Sequence, residues 1–282
     1  MPPDFLDIPT CCPTISTPKL QSPWTREEGS VANVEKAGIA IKAGDADSLG
    51  EFLQSNPELA QDHSQDRVRT EKPHTRTLLH TVADYPGCLP NAIEMARRLI
   101  DAGADVNARA TNEDNPSRET PLHWAASCDD VDLAEFLLDS GAEIDSDGGV
   151  VSNGTPAWNA TIFSCVNVAN LLIDRGAARN LMIVAGAGRR DLLDDYFGDD
   201  GIPVADAGAL PTWEEPRAPK AALDSAFGFA CRNGQVTVAS RLLARGADPS
   251  VKNPLGETPY KQADDRKHRD VVSWLEAKGI KE

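Results

Sequence analysis

The residues with the most obvious chemical capacity are two histidines at matching places in similar segments, Thr77-Leu78-Leu79-His80 and Thr120-Pro121-Leu122-His123. Imidazole ligates metals and moves protons near neutral pH. Ligands of one metal must converge on one point, however, and equivalent places on neighbouring helices stand roughly 8–10 Å apart, too far to share an ion directly. Carboxylates cluster as Asp129, Asp130 and Asp132, and again as Asp191, Asp194 and Asp195. Both clusters fall where a helix is expected to begin, so its positive end and solvent account for them. Acid–base work needs a desolvated second group, and the sequence offers none. Gly186-Ala187-Gly188-Arg189-Arg190 lacks both the third glycine of a dinucleotide fingerprint and the Lys-Ser/Thr of a phosphate loop. Cys128, Cys165 and Cys231 have no zinc spacing, and no Gly-x-Ser-x-Gly elbow occurs. We therefore expect no catalytic residue, no metal site and no cofactor.

The elements that hold these residues follow from composition and period. The 282 residues are 40% hydrophobic but only 5% aromatic, so a core must be built from Ala, Leu, Val and Ile. A formal charge of −16 disfavours nucleic acid, whose phosphates need clustered Lys and Arg, and fits a partner with a basic surface. Neither a secretion signal nor an apolar run near 18 residues is present, so no membrane contact and an intracellular, cytoplasmic location are expected, with reduced thiols serving as small core residues. The sequons at Asn153 and Asn159 then carry little meaning. Residues 1–30 hold six prolines among Ser, Thr and charged residues and read as a disordered tail.

Arg118 to Asp145 is the template for the rest. Thr120 is an N-cap, Pro121 takes the first helical position, and Ala125 and Ala126 form a small face for close packing. Asp129 and Asp130 turn the chain into a second helix that buries Leu133, Phe136, Leu137 and Leu138, and Gly141 stops it. Laid over the chain, this unit recurs with Ala40, Gly44, Phe52 and Leu53, then from Thr77, Thr120, Thr155, a degraded copy around Val184, Ala185, Gly188, Tyr196 and Phe197, and copies from Ser225 and Thr258. The last step is 33 residues, and the array holds about seven units.

A 33-residue helix–turn–helix period with Thr-Pro-Leu-His at 120–123 and Gly-Ala-Asp at 103–105 and 246–248 resembles the ankyrin repeat family. The resemblance covers about residues 34 to 280. It implies an all-α solenoid of L-shaped units with short β-turn fingers and a groove lined by fingers and first helices. It also implies that His80 and His123 are hydrogen-bonding braces; Trp158, Gly228 and Lys261 take their place in other units. The pattern breaks in the middle: the finger between units four and five is missing, and a loop at about 198–219 is inserted between units five and six. Domain organisation is thus a tail, 1–30, and a repeat domain, 31–282.

What remains for function is surface. The fingers present Arg109, Asn112, Asp114 and Arg118, then Asp147, Val150 and Asn153, and finally Lys252, Asn253 and Leu255. The groove position of the first helices holds Thr81, Trp124, Asn159, Phe229 and Gln262. Trp124 and Phe229 suit binding anchors, and Trp213 in the inserted loop joins them; Trp124 equally suits packing between first helices. The expected function is an adaptor or scaffold that binds another protein. Alternatives are an accessory protein that inhibits or organises an enzyme, or an enzyme whose site lies near 186–219, with Arg189, Arg190, Asp191 and Trp213 as its groups.

Overall fold

In the computed structural model the described residues are 30–62, 64–66, 74–112, 118–215 and 217–281. The Pro-rich segment to residue 29, the pair Cys11-Cys12 and Asp114 lie outside them. Inner helices α1 (Ser30–Lys42), α3 (Leu78–Val82), α5 (Pro121–Ser127), α7 (Pro156–Ile162), α9 (Leu181–Gly186), α10 (Pro219–Arg232) and α12 (Pro259–Asp265) pack in that order. Behind them lie the outer helices α2 (Ala46–Ser55), α4 (Ala92–Asp101), α6 (Val131–Asp139), α8 (Val166–Asp174), α11 (Val236–Ala244) and α13 (Arg269–Ala277). Strands β1 (Ser64–Asp66), β2 (His74–Arg76) and β3 (Thr111–Asn112) join the first two fingers into one antiparallel sheet, with His74 opposite Asn112. The fold is the all-α solenoid expected.

Each unit is set by the same local chemistry. Thr120 and Thr155 cap α5 and α7, and Pro121 and Pro156 occupy the first helical position, where no amide bond is lost. The turn between inner and outer helix needs a left-handed residue, supplied by Asp129 (φ 55°), Ser164 (φ 63°) and Lys267 (φ 63°) among others. Asp129 recovers that strain by accepting bonds from Val168 N–H (2.9 Å) and Asn167 Nδ2 (2.7 Å) of the next unit. Asp130 caps α6 through Leu133 N–H (3.1 Å) and reaches back to Cys88 N–H (2.7 Å). The aspartates read as helix-start residues thus also tie neighbouring units together. Outer helices are latched by arginines reaching to the preceding unit: Arg98 to Asp47 (3.1 Å), Arg175 to Asp139 (2.5 Å) and Arg189 to Asp174 (2.6 Å).

The middle departs from the template, and here two expectations need correction. The fifth unit has an inner helix but, in place of an outer one, a single 3-10 turn (Leu193–Tyr196), because Phe197 leaves in extended form to pair with Pro203. Its inner helix α9 is one residue shorter than α5 or α7, capped by Asn180 through Ile183 N–H (3.0 Å), and every residue from Leu181 to Ala187 is buried. The sixth unit opens at Pro219 rather than Ser225. Proline presets the first helical φ, and the added turns cover Asp224, which accepts Asp248 N–H (2.7 Å) and pairs with Lys220. The finger before α9 is indeed absent. The inserted segment instead folds back toward α9: Ala207 C=O accepts Leu181 N–H (2.9 Å), and Ala207 and Leu210 are buried.

Candidate partner-binding surface

The fingers are pinned to the inner helices by the two histidines. His123 Nδ1 accepts from Thr120 N–H (3.2 Å) and meets Thr120 Oγ1 (2.9 Å), while its Nε2–H donates to Gly154 C=O of the next finger (3.1 Å). His80 repeats this with Thr77 and donates to Glu119 C=O (3.1 Å). That pattern specifies the neutral Nε2–H tautomer in both. Both rings are fully buried, and burial pushes His123 down to about 4. Neither nitrogen is available for a metal or a proton transfer, so both are braces. No group of three His, Cys, Asp or Glu able to hold a metal occurs among the described residues. Burial pushes the Cys165 and Cys231 thiols up to about 12, which keeps them protonated and unreactive.

Finger three, residues 146–154, is held by two half-buried charges, Arg109 and Glu119. Arg109 donates to Arg118 C=O (3.0 Å) and Ser146 Oγ (3.2 Å), bonds Asp147 C=O and pairs with the Asp147 carboxylate (3.0 Å). Arg109 and Asp147 therefore lock adjacent fingers together, whereas Arg118 and Asn153 are exposed. Asn112 contributes its backbone to β3. Sequence reasoning missed Glu119, whose carboxylate accepts Asn159 Nδ2 (2.6 Å) and Val150 N–H (3.2 Å). Burial pushes Glu119 above the usual carboxylate range, while these donors and the Trp124 indole favour its charged form; Trp124 Nε1–H reaches no acceptor at full hydrogen-bond geometry. The recurrence of Glu-Thr-Pro at 119–121 and 257–259 is the signal that marks this residue, since Glu257 likewise holds its finger through Asn253 Nδ2 (2.7 Å).

The groove positions separate into two groups. Trp124 stands edge-on to His80 (5.1 Å) with the Arg76 guanidinium 5.7 Å from its ring, half-buried between α3 and α5. Farther along, Trp158 is 1% exposed and receives Trp213 from the insertion (5.0 Å) and Phe229 from α10 (5.3 Å), both edge-on. Phe229 thereby reaches across α9 to α7. Between Ser152 and Asn153 of finger three and Thr212–Arg217 of the insertion lies an open cleft of ≈ 480 Å³, with Trp213 in its lining and Glu214 and Glu215 exposed at its rim. The structure thus brings Asn153, Trp213 and Phe229 into one region. Lys252 and Leu255 stand on the finger before α12, where Leu255 is 75% exposed. The proposed enzyme groups are not gathered: Arg189 is paired with Asp174 (2.6 Å) and Asp191 (2.9 Å), and the cleft lining includes neither them nor Arg190.

Comparison with known proteins agrees with this geometry. The family described as ankyrin repeats (3 copies) matches residues 38–147 and 110–183, together just over half of the 282 residues. The NF-kappa-B inhibitor cactus of Drosophila melanogaster is 35% identical over 85 residues, 30% of this chain and 16% of that protein. The palmitoyltransferase Hip14 of the same fly is 36% identical over 88 residues, 30% of the chain and 13% of its own length. Protein fem-1 homolog C of Danio rerio is 35% identical over 65 residues, 23% of the chain and 10% of its own. The chain spans less than a fifth of each of these curated relatives. No helix among the described residues is long and apolar enough to cross a membrane. With the Thr–His clamps at 77–80 and 120–123, the paired layers of helices and this family match, the chain belongs to the ankyrin repeat family.

Proposed function

We propose that the chain is a protein-binding module that acts as an adaptor or scaffold, and that its partner docks across finger three and the inserted segment. One observation carries this reading. The insertion has replaced a missing finger with an aromatic wall, Trp213 on Trp158, and left beside it an open cleft with Glu214 and Glu215 at the rim. An aromatic anchor beside acidic side chains suits a partner with a basic surface, because the ring supplies area at low entropic cost and the carboxylates steer approach. Arg109 and Asp147 serve this surface by holding its fingers rigid rather than by touching the partner. The test is a photo-crosslinking residue placed at Asn153, Trp213 or Leu255 of the full chain in cells. One partner captured from both 153 and 213 is expected. Capture from 255 alone would move the site to the last finger and overturn the reading.

A second reading draws on the relatives. The likeness to cactus, an inhibitor by name, supports an accessory protein that inhibits or organises its partner. Such a role with an acidic rim predicts binding that weakens strongly with salt, whereas an anchor-driven adaptor holds on through Trp213 at high ionic strength.

A further inference from the structure

The residue just ahead of the capping threonine is charged in three units: Arg76, Glu119 and Glu257. In unit four it is Gly154, and the brace position of the same unit holds Trp158 in place of histidine. The two changes belong together. A Cβ added at Gly154 would fall 2.1 Å from Trp158 Cδ1 and 2.7 Å from its Cγ, so the indole fills the space a side chain would need. Only glycine fits beside it at interior packing density. The consequence lies one residue earlier. Asn153 precedes this glycine, so the Trp158 packing writes an Asn-Gly pair into finger three.

Asparagine before glycine is open to attack by its own backbone, because no Cβ shields the following nitrogen. The chain contains two such pairs, Asn153-Gly154 and Asn233-Gly234, and the fold treats them oppositely. Asn233 is 4% exposed, and its Nδ2 donates to Thr161 C=O and Gly186 C=O (both 3.2 Å). That amide is fixed. Asn153 is exposed at the tip of finger three, in a two-residue turn where Ser152 (φ 57°) and Asn153 (φ 52°) are both left-handed. Its amide makes one hydrogen bond, to Asp147 Oδ2 at 3.5 Å, the outer limit for such a bond. Gly154 N–H is held by Val151 C=O (3.2 Å), and Val151 and Ser152 are exposed beside it. A tip whose backbone bonds face solvent opens at low cost, and opening frees the nitrogen to attack.

We propose that Asn153 is a modification site, deamidated by the Gly154 nitrogen, so that finger three gains a carboxylate at the cleft as the chain ages. The Gly154 amide gives its proton to hydroxide, and its nitrogen bonds to Asn153 Cγ. The Cγ–Nδ2 bond breaks, and ammonia leaves after taking a proton from water. Water then opens the resulting succinimide at either carbonyl, which yields aspartate or isoaspartate. The balance is one water consumed and one ammonia released, with no redox partner.

Both products change finger three. Each puts a negative charge where a neutral amide stood beside Asp147 Oδ2, in the lining of the cleft that already holds Glu214 and Glu215. Isoaspartate also adds a methylene to the main chain ahead of Gly154, whose C=O accepts His123 Nε2–H (3.1 Å) and Gly149 N–H (2.9 Å). Aspartate changes charge alone, and isoaspartate pulls on the brace as well.

The test keeps the full chain folded in mildly alkaline buffer and, in parallel, unfolded in urea, and follows both Asn-Gly pairs by peptide mass spectrometry. Residue 153 should gain the mass of a carboxylate in place of an amide, as two separable isomers, at a rate proportional to hydroxide. Asn233 should react about tenfold more slowly than Asn153 in the folded chain, because a buried amide waits for local opening, and equally fast in urea. Asn153→Gln should silence the site and melt with the parent, since the larger ring its side chain would close forms far more slowly. The aged parent should melt below Asn153→Asp, which carries the charge without the added methylene. An Asn153 that converts in urea but not in the folded chain, or equal conversion at both pairs in the folded chain, overturns the proposal. Neither result bears on capture of a partner at Trp213, so the modification and the binding reading fail separately.

Discussion

The stretch from α3 to α7 and the stretch around α9 solve one problem with different chemistry. Both must hold the chain that enters an inner helix against the next unit. In the first, His80 and His123 do this with directional bonds at both ring nitrogens, each worth about 1 kcal/mol net and costly to leave unmade. In the second, Trp158 stands where the histidine was, and Trp213 and Phe229 close on it edge-on. Such aromatic pairs add about 0.5–1.5 kcal/mol each beyond burial. The exchange leaves Trp158 Nε1, Trp213 Nε1 and Thr212 Oγ1 buried with no partner. Directional braces fix each finger of the regular units to its inner helix through both ring nitrogens. Aromatic packing holds the middle by shape rather than by directional bonds, and these donors stay sealed inside it.

The sharpest way to break this contrast is Trp158→Ala. The side chain is 1% exposed and carries both other rings, so its loss should cost about 3–5 kcal/mol. Urea unfolding with hydrogen exchange should show amides of the inserted segment, including Leu210 and Trp213, exchanging well before those of α5. A cost near 1 kcal/mol, with the insertion still protected, would mean that the aromatic cluster does not hold the middle.

Next comes the acid side of the regular stretch. His123 sits at about 4 in the folded chain against about 6.5 when unfolded. The unfolded chain therefore binds the proton first, and stability falls as pH drops from about 6.5 toward 4, by about 3 kcal/mol in all. Glu119 works in the opposite sense: its folded value is raised, so protonation of the native state offsets part of that loss. Urea midpoints between pH 7 and pH 4 should decline in the parent, and the decline should shrink in His123→Ala. An equal decline in both would assign the acid sensitivity to other groups.

The same contrast explains what could be read from the sequence. The regular stretch was legible because one packing problem recurs, and each recurrence calls for the same residues: Thr at the cap, Pro after it, His at the brace, Gly at the stop. The period carries the resemblance to ankyrin repeats, and that resemblance implies the brace role of His123. The middle has no second copy to compare with. Nothing local to Trp213 announces that it lands on Trp158, because that contact depends on how the insertion folds back onto Leu181. The start of α10 was misread for a related reason: Ser225 matches the period, while Pro219 begins the helix. Glu119 gives no local signal of its own, because its role as an acceptor depends on donors 31 and 40 residues away, Val150 N–H and Asn159 Nδ2.

Two glycines give the smallest and most discriminating comparison. Gly186 lies in α9 under the aromatic cluster, where an added Cβ would fall 2.7 Å from Thr161 Cγ2 and 3.0 Å from Asn233 Nδ2. Gly228 occupies the brace position of α10, yet the nearest atom to an added Cβ there is Gln262 Nε2 at 3.7 Å. Alanine in a helix gains about 0.5–1 kcal/mol over glycine where it fits, and overpacking costs about 1–3 kcal/mol where it does not. Gly228→Ala should therefore raise the urea midpoint slightly, and Gly186→Ala should lower it. The sign difference tests how closely each seam is packed: α9 is clasped between α7 and α10, while α10 meets α12 with room at the place where the regular units put a histidine. If both alanines were neutral, α9 would be no more tightly held than its neighbours, and the middle would owe its order to the aromatic cluster alone.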